Sequence, residues 1–138
     1  MEKKIIWGGL AGGVTFFLLG WILYGMLLRD FMEAQTTAGV FKVVPDFPFL
    51  IIGNIIMGFL FAIVVGSWAN ANSMGDGAKK GFLLSLLIAG GYDFMMYGTA
   101  NIMSMQGMLV DIGVTVIIGT IVGGVVGAVM GSSQKTAG

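Results

Sequence analysis

Residues 107–131 read GMLVDIGVTVIIGTIVGGVVGAVMG, and their one charged side chain is Asp111. As a helix rising about 1.5 Å per residue, this stretch outruns the roughly 30 Å hydrocarbon core of a bilayer. Asp111, Thr115, Gly119, Gly123, Gly127 and Gly131 recur at every fourth position. Residues four apart share nearly the same helix face. In lipid, rows of small residues let helix backbones approach closely. The stretch predicts a membrane-spanning helix that packs through glycine.

Three further apolar segments precede it, at about residues 5–28, 49–70 and 81–103. Each is long enough to span. The first follows Lys3 and Lys4 but is too long for the roughly 7–15-residue apolar core of a secretory signal, so it is expected to remain as a helix. Residues 29–48 form a connection broken by Gly39, Pro45 and Pro48, with Phe31, Phe41, Phe47 and Phe49 as interface anchors. NSMGDGAKK (72–80) reads as a Gly-rich turn, since it lacks the spacing of a phosphate loop. The MSMQG link (103–107) is short enough to force the last two segments into an antiparallel hairpin.

Composition agrees. The chain is 57% hydrophobic and 10% charged, against about 25% charged in soluble domains. It has no Cys and no His, which removes disulfides, thiolate and imidazole chemistry and the usual zinc sites. No basic stripe is present to meet nucleic acid. The expected fold is all-α, a single domain of four membrane helices arranged as two hairpins.

Lys3, Lys4, Lys79, Lys80 and Lys135 fall on one side of such a topology, with Arg29 and Lys42 on the other. The positive-inside rule then places both termini in the cytoplasm and the protein in the inner membrane. An internal echo is also visible. Gly8 and Tyr24 precede Gly81 and Tyr97 by 73 positions, and Gly58 and Gly66 precede Gly119 and Gly127 by 61. A parallel duplication of one hairpin generates such offsets.

The second segment carries Asn54, Gly58, Ala62, Gly66 and Asn70 at intervals of four. The third carries Gly81, Ser85, Ala89, Asp93, Tyr97 and Asn101, and the first has Gly8/Gly12 and Gly9/Gly13. A row of strict fours drifts by about 40° per step around a 3.6-residue helix. The glycines, Gly8, Gly12, Gly58, Gly66, Gly119, Gly123 and Gly127 among them, are expected to serve packing within or between copies.

The polar residues collect toward the external side. Asn54, Tyr24, Asn101, Asp111 and Thr115 lie near the outer helix ends, and Asp93 is expected deepest, at about 15 Å. A mid-membrane carboxylate costs about 2.5–3.5 kcal/mol on insertion scales, so it is either protonated or faces a polar interior. Tyr97 and Asn101, on the same row, are the expected donors to it. Asp93 and Asp111 are expected too far apart in depth to bond directly. Met103, Met105 and Met108 form an MxMxxM cluster whose thioethers suit Cu(I), although flexible packing is the plainer reading of methionine.

GWILYG (20–25), FMMYGTANIMS (94–104) and the Gly-rich last segment loosely resemble small four-helix bacterial inner-membrane proteins of unestablished function. The resemblance implies a bacterial four-span protein and no biochemical role. The residues favour a small transporter or ligand-binding protein with an outward-facing polar cavity ending at Asp93. Its candidate site residues are Asp93, Tyr97, Asn101, Asp111, Asn54, Tyr24 and Thr115. The alternative is a non-catalytic subunit docked through its glycine faces on a larger membrane complex. No enzyme activity and no cofactor are expected. The expected partners are the lipid bilayer and further copies or subunits.

Overall fold

In the computed structural model, residues 2–137 are described, with side chains through residue 132. The side chain of Lys135, counted above, lies outside the described residues. Helix α1 (Lys3–Gly20) continues without a break into a π-helical segment, Trp21–Leu27. Helix α2 (Arg29–Gln35) follows, then α3 (Phe47–Phe61), which runs on into a second π-helical segment, Ala62–Trp68. Helices α4 (Met74–Thr99) and α5 (Met105–Ala137) complete the chain. Among the described residues there is no strand, and four helical stretches are long and apolar enough to cross a membrane.

The helix ends follow local chemistry. Pro48 occupies the first turn of α3, where its missing N–H is not needed. At the far end Asn70 takes a left-handed φ of 56°, and the Ala71 amide donates back to the Val65 carbonyl at 3.0 Å. The stop resembles a Schellman cap widened by one residue, in keeping with the π-helical segment it ends, with Asn in the place glycine usually fills.

Two connections are shorter than the sequence suggests. Residues 72–80 are not a turn, because Ser73 caps α4 by accepting the Asp76 amide at 3.2 Å. The glycines there belong to the helix, where Gly77 packs on Gly127. Lys80 joins Asp76 at 2.7 Å and the Ala69 carbonyl at 2.5 Å, tying the start of α4 to the end of α3. It therefore has a structural role besides any effect on topology. The connection 29–48 contains α2, which the breakers at Gly39, Pro45 and Pro48 do not reach.

Helix α5 is the central element. Half of its most apolar window is buried, against 17–28% for the other three spans. One side presents Ile118, Val122, Val126 and Met130 to Phe16, Phe61, Ala62 and Val65, with Phe16 and Phe61 edge to face at 5.0 Å. The other side is glycine. Gly127 lies against Gly77, Gly123 against Gly81, and Gly119 against Ser85. Four residues forward along α4 match four back along α5, so the two helices run antiparallel. Helix α1 meets α3 in the same manner, through Gly9 on Phe59, Gly12 on Gly58 and Gly13 on Ile55. The tight approaches on α1 are at Gly9 and Gly13, whereas Gly8 and Gly12 sit at ordinary contact distance.

Candidate functional site

The α4–α5 register carries the site. Continued past Ser85 and Gly119, it pairs Ala89 with Thr115 and then Asp93 with Asp111. The buried positions of α4 are Gly77, Gly81, Ser85, Ala89 and Asp93, the same row. The Asp93 carboxyl is thereby an electrostatic neighbour of the Asp111 carboxyl.

The sequence reading kept these two acids apart, and the helix ends explain the error. Helix α4 stops at Thr99 and α5 starts at Met105. Asp93 is therefore six residues inside one end and Asp111 six inside the other. Both sit at about 9 Å depth.

Tyr24 closes the group from α1. Its hydroxyl donates to Asp111 Oδ1 at 2.6 Å and lies 3.2 Å from both the Asp111 carbonyl and Thr115 Oγ1. Tyr24 sits in the π-helical segment Trp21–Leu27, and such segments recur where a side chain must be aimed at a functional group. Asp93 itself is nine-tenths buried, and its Oδ2 has no hydrogen-bond donor among the described residues. Four oxygen-bearing side chains from three helices thus converge in an apolar surround. One of them, Asp93, is unsatisfied at Oδ2 among the described residues.

Tyr97 and Asn101 do not join this group. The drift of a four-residue row carries Tyr97 off the buried face, where it is 42% exposed. Asn101 lies beyond the end of α4. Both line a separate surface pocket of about 540 Å³ with Gln35, Thr36, Thr37 and Ser104. That pocket sits where the end of α2 is clasped to the α4–α5 connection. The Thr37 amide donates to the Ile102 carbonyl at 2.7 Å and the Ser104 amide to Gln35 at 2.8 Å. Thr37 Oγ1 also donates to the Asn101 carbonyl, and Ser104 Oγ to Gln35 Oε1. No periodicity marks this clasp, so the sequence reading missed it.

A larger cavity, about 980 Å³, opens between α1 and α3 on the α2 side. The two helices touch at Gly13 and Ile55 and leave this space beyond, where Phe17, Trp21 and Tyr24 face Phe47, Phe49 and Leu50 across it. The connection after α2 adds Phe41, Lys42, Pro45 and Asp46, and α2 itself adds Arg29, Met32 and Glu33. Asn54 and Asp111 also line it. The expected polar cavity is therefore mostly apolar, with six aromatic side chains in its lining. It ends at Tyr24 and Asp111, and Asp93 lies behind them. Asn54 spends its amide on the Leu50 carbonyl of its own helix at 2.7 Å.

The three methionines do not converge. Met103 lines the cavity, Met105 is half exposed and Met108 is fully buried.

Tyr24→Phe is expected to lower stability by about 1–2 kcal/mol, because it takes a donor from Asp111 and a neighbour from Thr115. Thermal unfolding in detergent measures the loss. Thr115→Val, which keeps the Tyr24–Asp111 bond, should cost less.

Four helices of this length and apolarity fit a multi-pass membrane protein. Comparison with protein-family models, curated proteins and solved structures finds no significant match.

Proposed function

We propose that this is a small membrane transporter or ligand-binding protein. Its ligand enters the cavity between α1 and α3, and its proton sits on the Asp93–Asp111 pair. The observation that carries the reading is Asp93 Oδ2, a buried acceptor with no donor. Two carboxylates face one another there, and neither can donate. A proton shared between them supplies the missing hydrogen bond. Asp111 and Tyr24 are the titratable groups that act on Asp93 from the packed helices. Asp111 also lines the cavity, so a ligand there acts directly on a group that shares the proton. Ionisable groups inside a membrane protein are functional by default because their insertion is costly.

Orientation and symmetry belong to the same proposal. Lys3, Lys4, Lys79 and Lys80 gather at the end opposite α2. That supports cytoplasmic termini and a cavity open to the outside of the inner membrane. The contacts also support a duplicated hairpin. Gly8 meets Ala62 as Gly81 meets Gly123, and Gly12 meets Gly58 as Ser85 meets Gly119. Offsets of 73 and 61 positions convert each first pair into the second. Under those offsets Asp93 and Asp111 correspond to Gly20 and Leu50, and both of these line the cavity. One hairpin then keeps the acids where the other keeps the ligand space.

The test is proton flux into proteoliposomes, followed with an internal pH dye under a potassium diffusion potential. Wild-type protein should conduct above protein-free vesicles, and Asp93→Asn should not. Wild-type flux at the protein-free level, or undiminished flux in Asp93→Asn, overturns the reading.

A further inference from the structure

The cavity lining identifies the class of ligand, on the premise above that the cavity is a binding site. Its volume of about 980 Å³ lies at the upper end of the roughly 300–1,000 Å³ usual for small-molecule pockets. Phe17, Trp21, Tyr24, Phe41, Phe47 and Phe49 contribute aromatic rings from α1, α3 and the connection between them. Ring faces carry negative electrostatic potential and attract cations, tryptophan most strongly.

The charges lining the cavity point the same way. Arg29 and Lys42 are both engaged. Arg29 Nε donates to Glu33 at 3.2 Å and its Nη2 to the Val43 carbonyl at 3.4 Å, while Lys42 pairs with Asp46. That leaves Asp111 as the lining acid without a cationic partner among the described residues, with the buried Asp93 behind it. An anionic ligand meets the Asp111 carboxyl and, among the described residues lining the cavity, no unpaired cation. A neutral apolar ligand makes no use of the acids. A small hydrophilic cation leaves the six rings without contacts.

We infer that the site takes a lipophilic organic cation, an aromatic or bulky alkyl ammonium or phosphonium. Its apolar groups lie against Phe17, Phe47 and Phe49, and its charge approaches Asp111 past Trp21 and Tyr24.

Tetraphenylphosphonium and tetraphenylborate, close in shape and opposite in charge, separate this from generic greasiness. Equilibrium dialysis against the detergent-purified, full-length protein should show saturable tetraphenylphosphonium binding at least tenfold tighter than that of tetraphenylborate. Asp111→Asn should weaken the cation at least tenfold and bring the two probes closer together. The probe comparison is made on the native protein, so it holds even if that variant folds poorly. Equal binding of the two probes, binding of neither, or undiminished cation binding in a folded Asp111→Asn overturns the inference. Proton flux that depends on Asp93 would survive any of those results, so the two proposals fail separately.

Discussion

Gly123→Val should yield little or no folded protein. A β-carbon at Gly123 would stand 2.7 Å from the Gly81 Cα and 3.0 Å from its amide nitrogen. These are main-chain atoms within α4, so no rotamer change relieves the clash. The helices must separate, and the register that pairs Gly77 with Gly127 and Asp93 with Asp111 is lost with them. Overpacking usually costs about 1–3 kcal/mol when side chains can adjust, and more when they cannot. Against a total stability of about 5–15 kcal/mol, that is a large share.

The neighbouring glycines supply the contrast. A β-carbon at Gly124 would meet the Met74 side chain at 3.4 Å, and one at Gly113 would meet nothing within 4 Å. Gly124→Ala and Gly113→Ala should therefore elute and melt close to wild type. Size-exclusion profiles and thermal midpoints after detergent extraction decide the matter. A Gly123→Val protein with a wild-type midpoint would refute the backbone-contact account.

Asp93→Asn should raise stability while removing proton flux. The amide keeps the size of the carboxyl and gives Asp111 a permanent donor, whereas the carboxyl donates only while the pair holds its proton. An unsatisfied buried polar group costs about 1–3 kcal/mol, and the variant avoids that cost wherever the pair would give up its proton. The combination is diagnostic. If Asp93 served only to tie α4 to α5, replacing it would cost stability. If it is kept for function, the site gives up stability that the variant recovers. A lower thermal midpoint in Asp93→Asn, with the protein still monodisperse, counts against a functional carboxyl.

The four-residue rows were legible because the chemistry of close helix contact is local. Small residues permit it, and a spacing of four marks one face. The same rows show which residues of α4 are buried, from Gly81 through Ser85 and Ala89 to Asp93. Their limit also shows. Tyr97 continues the row in sequence, yet drift and the end of the helix carry it and Asn101 into a different pocket. The cap at Ser73 was readable in principle from its Asp three residues on, but the glycines of residues 72–80 outweighed it.

Sequence alone determined that this protein is helical and apolar enough for a membrane, and that its helices meet through glycine. These properties depend on residue type and on spacing within one segment. Tertiary structure decided what the acids face. A shift of a few residues in where α4 ends and α5 begins moves Asp93 by several ångströms against Asp111, and no local rule fixes helix ends so closely. Structure also decided that α1 and α3 part beyond Gly13 to leave an aromatic cavity. That space depends on the packing of separate segments against one another, which no single stretch of chain records.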